Sequence, residues 1–457
     1  MKRRLIVSLL SASSAVGLFA IGINIASSAG FWAQDPGPRA GAAGAGDPLP
    51  GLTGRQLSFF RTGLADFSST EVVADGLGPR MNLDSCVGCH MQPAIGGSSP
   101  PVNPQFAFAG KEGGTDAVPM FITASGPVRE ARFVRNPDGT ADGGVHALFT
   151  LSGRPGAIGC SLAQPDFATQ VSNNNVIFRI PTPVFGAGLI EQIPDWAILA
   201  NAAAATSRKS ALGIRGRPNY QVSGRTITGQ SNNNGNDGTI ARFGWKAQNK
   251  SVLLFAGEAY NVEMGITNEL FQTERDETPA CQFVTNPNDT TNTDAAAAED
   301  AISGIEKFAF FMRFLAPPAP SVDTPGGATS IGRGKNVFSN IGCALCHTPT
   351  MTTGPSTVAA LSNKPVNLYS DLLVHDMGVG LADGVSQGQA GPREFRSAPL
   401  WGLGQRLFFL HDGRTSDLRA AIRAHASSGS EANGVIGNFS NLSDGAKQDL
   451  FNFLRSL

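Results

Sequence analysis

The sequence predicts a mainly α fold built from two tandem domains of the same design. The first observation behind this prediction is a six-residue pattern that occurs twice, as SCVGCH at residues 85–90 and as GCALCH at residues 342–347. The second is a pair of segments, residues 307–315 and 449–457, whose apolar residues recur at helical spacing and match position for position. An internal duplication explains both observations.

A loop of Pro, aromatic and Gly residues lies between the pattern and the helix in each half. It reads TPVFGAG at residues 182–188 and APLWGLG at residues 398–404, and each copy follows a Phe-Arg pair that contains Arg179 or Arg396. Each half therefore runs in the same order of pattern, loop and closing helix.

Each six-residue pattern contains Cys-x-x-Cys-His, the signature of covalent c-type haem attachment. A dithiol redox pair, half of a zinc site or chance are alternatives for a single copy, but the recurrence with His in both copies favours haem. We therefore predict two covalently bound haem c groups in two cytochrome c-like domains. The predicted thioether residues are Cys86, Cys89, Cys343 and Cys346, and the predicted proximal iron ligands are His90 and His347.

The first 50 residues carry the features of an exported protein. Basic residues, a long apolar run and small residues before Gly30 predict a signal peptide at residues 1–29. Because the apolar run is long, retention as a membrane anchor stays an alternative. A tract rich in Gly, Ala and Pro predicts a flexible tether at residues 30–50. We therefore expect a periplasmic protein.

Composition also predicts the boundary between the two domains. Residues 316–330 are rich in Pro, Gly, Ser and Thr, which is typical of a linker. The first haem c domain is then expected at residues 51–315 and the second at residues 331–457. Since the second copy needs far fewer residues, we expect the first to be enlarged by loop-rich insertions.

Charge and the remaining cysteines narrow the classes of partner and the compartment. With 35 basic and 36 acidic residues, the chain has no overall attraction for nucleic acid or for an anionic membrane. Small molecules and proteins are the expected partners. Cys160 and Cys281 lie outside the two motifs, and they form either a disulfide in an oxidising compartment or two buried free thiols.

Several longer stretches resemble a known family beyond the haem motifs. They are RIPTPVFGAGLIE at residues 179–191, LLVHDMGVGLAD at residues 372–383, REFRSAPLWGLG at residues 393–404 and FLHDGR at residues 409–414. With them the chain resembles the bacterial di-haem c-type oxidoreductases, sometimes labelled thiol oxidoreductases, which are related to the di-haem cytochrome c peroxidases. The thiol label finds no support, because the motif cysteines are committed to haem.

The resemblance implies a peroxidase-like oxidoreductase. A periplasmic donor protein would reduce the second haem, the electron-transfer centre, which would pass electrons to a reactive, peroxidatic first haem that acts on peroxide or another small oxidant. Two alternatives stay open. One is a non-enzymatic di-haem electron-transfer cytochrome, and the other is an oxidase that acts on a partner protein.

The resemblance also implies a second iron ligand at the second haem. In the related peroxidases this ligand lies fourteen residues after the His of a loop that here contains His411, which places it at His425. Leu418, Ala421, Ile422 and His425 share one face of a predicted helix. A packed core histidine is the alternative.

The remaining site predictions concern the first haem. By resemblance, Glu263 is expected to be the catalytic distal acid, with a helix-capping or surface role as the alternative, and Trp245 is expected to relay electrons or only to pack. Arg179 and Arg396 are expected to pair with haem propionates. His146 is a candidate for the second ligand of the first iron, with an open or water-occupied position as the alternative. The resemblance further implies a calcium ion between the haems, for which no ligands can be traced.

Overall fold

The computed structural model describes residues 32–220, 226–227, 230–231 and 240–457, and residues 33–457 form one compact unit. The predicted signal peptide at residues 1–29 lies outside the described residues. No helix among the described residues is both long enough and apolar enough to cross a membrane.

Helices and short strands alternate with long loops along the chain. The α-helices are α1 Gly54–Phe67, α2 Cys86–Cys89, α3 Gln105–Phe108, α4 Phe167–Ser172, α5 Ala187–Glu191, α6 Asp195–Ala203, α7 Thr206–Leu212, α8 Val252–Met264, α9 Ala298–Ala301, α10 Gly304–Phe314, α11 Gly327–Ile341, α12 Leu418–Ala424, α13 Asn433–Ser440 and α14 Asp444–Ser456. The strands are β1 Arg80–Met81, β2 Glu130–Phe133, β3 Val145–His146, β4 Phe149–Thr150, β5 Val176–Arg179, β6 Asn219–Tyr220, β7 Thr226–Ile227, β8 Gln230–Ser231, β9 Ile240–Ala241, β10 Met351–Thr352, β11 Pro365–Val366, β12 Val374–Asp376 and β13 Glu394–Arg396.

Two helix pairs, α1 with α10 and α11 with α14, make the most extensive contacts between elements. In both pairs, a glycine of the first helix lies against a backbone carbonyl group of the second helix. An added Cβ on Gly63 of α1 would lie 2.2 Å from the Lys307 carbonyl oxygen, and one on Gly334 of α11 would lie 2.0 Å from the Asp449 carbonyl oxygen. Lys307 and Asp449 occupy matching positions in the two repeated segments, so the duplication extends to the way in which the helices pack.

Local sequence explains why both closing helices form. Ser303 and Glu306 form a capping box at the start of α10, and the Ser443 side chain accepts from the backbone N–H of Ala446 at the start of α14. Most apolar residues of α10 are buried, and the C-terminal half of α14 is buried on all sides. The structure thus contains a helix at each of the two predicted closing segments.

The sheets are small and antiparallel, and two of them position side chains of interest. β2 lies between β3 and β5, and its register sets Glu130 opposite Arg179. β12 pairs with β13, so that His375 lies opposite Phe395. The long loops and short strands mean that the predicted mainly α class is not established.

One hydrophobic core continues across the predicted domain boundary. Phe311, which precedes residues 316–330, belongs to the same cluster of buried residues as Leu372 and Trp401, which follow them. A second cluster lies around α11 and α14. The division at residues 316–330 therefore stays a prediction.

The segment predicted as a flexible tether makes specific contacts with the C-terminal half. Asp35 accepts two hydrogen bonds from the guanidinium of Arg455, at 2.8 and 2.6 Å, and a third from the backbone N–H of Leu418 at 2.9 Å. Ala33 is fully buried beside them. A flexible tether was expected here, but the buried guanidinium of Arg455, 420 residues further along the chain, binds the carboxylate of Asp35.

Cys160 and Cys281 form a disulfide across a sequence separation of 121 residues. The alternative of two buried free thiols therefore does not hold in the structure. The disulfide joins two parts of the large loop-rich region between α2 and α10.

Candidate haem sites

The first Cys-x-x-Cys-His motif lines a cavity that encloses about 1170 Å³ of space, including its solvent-open mouth. Helix α2 is a single turn, so Cys86 and Cys89 lie close together and both contribute to the wall. Nδ1 of His90 lies 3.0 Å from the Gly97 carbonyl oxygen. Because a carbonyl only accepts, Nδ1 carries the ring proton and leaves the Nε2 lone pair for a metal.

The second motif lines a separate cavity that encloses about 1370 Å³, again including its mouth. Nδ1 of His347 lies 3.1 Å from the Tyr369 carbonyl oxygen, and Nδ1 of His425 lies 2.8 Å from the Ala421 carbonyl oxygen. Both rings line the cavity with an unprotonated Nε2. Burial and the nearby His425 lower the pKa of His347 to about 4, which keeps its imidazole neutral and able to bind a metal.

Both cavities fit a large, mainly apolar group. The surface inside each cavity is mostly apolar. Burial raises the pKa of the Cys86 thiol and that of the Cys343 thiol to about 12, so these thiols are neutral in an apolar wall. Such a wall, with thiols beside an available imidazole nitrogen, has the donor set that a haem requires.

Two guanidinium groups in the second cavity have no counter-ion among the described residues. Arg396 and Arg406 line its wall, and burial lowers the pKa of each to about 10. The Nε of Arg396 donates to the Gly244 carbonyl oxygen at 3.0 Å, but neither residue forms an ion pair with a carboxylate in the described part of the chain. Buried cations need a partner, and the propionates of a haem would supply two negative charges. Sequence reasoning selected Arg396 and missed Arg406.

Arg179, by contrast, already has a carboxylate partner. Its Nη2 lies 2.8 Å from Oδ2 of Asp383, and Lys246 lies 3.1 Å from the other oxygen of the same carboxylate. Arg179 lines the first cavity, and its buried Nε has no hydrogen-bond partner. This Nε is therefore a donor that could make the predicted propionate contact.

Glu263 lies in the first cavity near the C-terminal end of α8. Nδ2 of Asn82 donates to its Oε2 at 2.7 Å. Burial, together with the neighbouring carboxylate of Glu130, raises the pKa of Glu263 well above its usual range. Burial would also raise the pKa of Glu130, but Arg132 at 2.6 Å and other donors outweigh it and hold the pKa of Glu130 at about 2. Sequence reasoning missed both Glu130 and Arg132.

Trp245 lines both cavities, and among the residues that the structure describes it alone does so. Its indole Nε1 donates to the Ile180 carbonyl oxygen at 2.9 Å. Its ring meets the ring of His411 edge-on, with the ring centres 6.4 Å apart. An aromatic side chain that is fixed in this way lies between the two candidate haem sites.

The other histidines do not all join these sites. His146 lies on β3, stacks on Phe133 and bonds to Asp142 at 2.7 Å, and it is not among the residues that line the first cavity. His411 and His375 both line the second cavity. The described residues contain no group of three or more His, Cys, Asp or Glu side chains suited to a metal ion, so the predicted calcium ion gains no ligand set.

Two cavities, each lined by a Cys-x-x-Cys-His motif, define the chain as a candidate protein with two haem sites. The comparison with protein families agrees with this class. The family model described as "Di-haem oxidoreductase, putative peroxidase" matches residues 161–457. The chain therefore belongs to this family of di-haem oxidoreductases. The matched region includes the second motif and Glu263, and it begins after the first motif.

The similar solved structures are more distant. Hydrazine synthase of Kuenenia stuttgartiensis, solved under xenon pressure, is 15% identical with a TM-score of 0.22, and the match covers 35% of this chain and 56% of that one. A MauG-like protein associated with microbial copper homeostasis is 17% identical with a TM-score of 0.24, covering 36% and 58% respectively. The chain thus spans little more than half the length of these structures, and neither likeness adds to the assignment. No curated protein has a recognisably similar sequence.

Proposed function

We propose that the protein is a periplasmic di-haem peroxidase that carries haem c covalently in both cavities and reduces peroxide at the first. The asymmetry of the two cavities is the observation that carries this proposal. Among the described residues, the first cavity has one histidine, His90, together with the buried acid Glu263. The second has four histidines, and two of them, His347 and His425, have Nδ1 bonded to a backbone carbonyl oxygen and Nε2 available.

The second cavity suits a haem that only transfers electrons. His347 and His425 would both bind its iron. Arg396 and Arg406 would neutralise its propionates. Two imidazole ligands also favour a lower reduction potential than an imidazole and a thioether, which suits a centre that supplies electrons.

The first cavity suits chemistry on peroxide. The haem bound there would supply the electrons that break the oxygen–oxygen bond, and the overall reaction joins hydrogen peroxide, two electrons and two protons to give two water molecules. Glu263 is the proton donor in this proposal. Asn82 fixes one carboxyl oxygen, and the raised pKa favours the protonated carboxyl, which can deliver a proton to the departing oxygen.

The route of electrons and the compartment complete the proposal. Trp245, the residue common to both cavities, would relay electrons from the second haem to the first. A small periplasmic protein is the proposed donor to the second haem. The periplasmic location rests on the predicted signal peptide and on the disulfide between Cys160 and Cys281, which an oxidising compartment favours.

Glu263→Gln tests this function directly. Glutamine keeps both polar contacts, because its amide oxygen can accept from Asn82 and its amide nitrogen can donate to Glu130, but it cannot give up a proton. Peroxide turnover by protein with a reduced second haem should fall roughly 100-fold to 10,000-fold, while both haem spectra stay unchanged. The exposed Glu277→Gln is the matched control and should keep full activity.

Two results would contradict the proposal. If Glu263→Gln turns over peroxide within about twofold of the wild type, Glu263 is not the proton donor. If the wild type, with its second haem chemically reduced, turns over no peroxide and its first haem fails to bind cyanide, the protein is an electron-transfer cytochrome.

A further inference from the structure

Two carboxyl groups from different elements face each other in the first cavity. Glu130 on β2 and Glu263 on α8 both line its wall, and their carboxyl groups lie close enough for each to affect the pKa of the other. A carboxylate has only acceptor oxygens, so a hydrogen bond between two carboxyl groups requires a proton on one of them. We therefore expect such a pair to hold one proton and one negative charge.

The surroundings decide which member carries the negative charge. Nε of Arg132 donates to Oε1 of Glu130 at 2.6 Å, and the register of β2 with β5 places Arg179 opposite Glu130. Glu263 has a neutral partner instead, the amide of Asn82. Guanidinium groups stabilise the charged form of a carboxyl, so Glu130 is the anion and Glu263 is the acid.

Two further charged side chains act on this group. Glu258 acts on Arg132, and Arg275 acts on both carboxyls and more strongly on Glu263, so that Arg275 opposes the assignment that the direct contact between Arg132 and Glu130 favours. Asn82 cannot reorient to change the balance, because its Oδ1 accepts from the backbone N–H of Leu148 at 2.9 Å. Both ends of the pair are thus fixed by partners on other elements.

We propose that Glu130 is a positioning residue that holds the proton on Glu263, so that Glu263 enters the reaction as an acid. This inference rests on the proposed function, and it assigns a role to a residue outside the repeated motifs. If Glu130 carried no negative charge, the charge of Arg132 would no longer be balanced by Glu130 and would act on the nearby Glu263. The positive charge would then favour the ionised form of Glu263, which has no proton to give at neutral pH.

Glu130→Gln in the full haem-loaded protein is the test. The amide keeps the size of the side chain and can still donate to Glu263, but it removes the charge. Apart from any signal of Glu274, whose pKa burial raises to about 7, infrared spectra of the wild type at neutral pH should contain the C=O band of the protonated Glu263 carboxyl. This band should disappear in Glu130→Gln and also in Glu263→Gln, because either change leaves one carboxylate beside Arg132. It should persist in the control Glu277→Gln.

Kinetics provide an independent measurement. Peroxide turnover of Glu130→Gln at neutral pH should fall by roughly 100-fold, and it should recover as the pH is lowered and Glu263 regains its proton. The alkaline limb of the pH profile should therefore move to lower pH. Glu130→Asp keeps the charge, so it should retain the infrared band and a limb close to that of the wild type; it replaces the glutamine variant if that variant fails to fold.

The outcomes separate this inference from the proposed function. Persistence of the infrared band in Glu130→Gln, or turnover at neutral pH that is unchanged or higher, would overturn the role of Glu130. Loss of the band in Glu130→Asp would overturn it as well, because the charge is still present. Unchanged turnover in Glu263→Gln would instead overturn the proposed function, whatever the infrared spectra show.

Discussion

Removing the Asp35 carboxylate should destabilise the whole protein, although Asp35 lies in a segment whose composition predicts a flexible tether. The side chain of Arg455 is 1% exposed and that of Asp35 is 6% exposed, and the two form a bidentate ion pair. Asp35→Ala leaves a buried guanidinium without its counter-ion. The same change removes the acceptor for the backbone N–H of Leu418 at the start of α12.

The size of the effect follows from these contacts. Breaking a buried pair by removing one partner typically costs about 3–5 kcal/mol. Nη1 of Arg455 keeps its hydrogen bonds to the carbonyl oxygens of Leu403 and Arg406, so the guanidinium does not lose all of its partners. We therefore expect a loss near the lower end, about 3 kcal/mol in the free energy of unfolding.

The same ion pair predicts a dependence of stability on pH. Burial would raise the pKa of Asp35, but the hydrogen bonds and charge of Arg455 and the backbone N–H groups of Leu418 and Gly37 lower it below the ordinary value of 3.8. A carboxyl whose pKa is lowered in the folded state makes its full contribution to the free energy of unfolding at pH values above its ordinary pKa. That contribution is lost as the pH falls through the folded value. The difference between wild type and Asp35→Ala should therefore shrink in acid.

Urea unfolding of the haem-loaded protein, followed by far-UV circular dichroism, measures the change. The control is Asp47→Ala, because Asp47 is exposed in the same segment and no ion pair of its side chain is seen in the described structure. It should unfold within about 0.5 kcal/mol of the wild type. If Asp35→Ala also unfolds within that margin, the ion pair does not stabilise the fold and the segment behaves as a tether.

Three further predictions concern the haem sites. Replacing both thiols of one Cys-x-x-Cys-His motif by alanine should remove that haem and leave about half of the haem stain on a denaturing gel; full stain in either variant would exclude that motif as an attachment site. His425→Met should keep a low-spin second haem and raise its reduction potential, whereas a low-spin spectrum that survives His425→Gly would identify another ligand. Trp245→Phe should slow electron transfer between the haems in stopped-flow reduction without altering either spectrum, and an unchanged rate would mean that Trp245 only packs.

Local sequence signals were sufficient for the parts of the site that lie close together in the chain. The spacing within each Cys-x-x-Cys-His motif fixes the relation of Cys86, Cys89 and His90, because two intervening residues make one turn. The fourteen-residue interval from His411 to His425 likewise placed a candidate ligand in the second cavity. The structure brings these residues to their cavities, and their roles as haem ligands stay predictions.

Residues missed by sequence reasoning depend on contacts between distant parts of the chain. Glu130 lies in a short strand without a motif, and it matters only because α8 brings Glu263 against it. Arg406 is one of many arginines until burial in the second cavity leaves it without a counter-ion. His146 illustrates the converse, since it was selected as a remaining histidine and lies against Phe133 and Asp142 instead.

The sequence by itself determined the repeated design, the family and the likeness of the two closing helices, because spacing and apolar periodicity are properties of neighbouring residues. Tertiary structure alone decided the state of the acid in the first cavity and the role of the segment before residue 51. The raised pKa of Glu263 depends on burial and on the neighbouring Glu130, and the position of Asp35 depends on Arg455. Electrostatic interactions depend on distance in space and on burial, and neither can be read from separation along the chain.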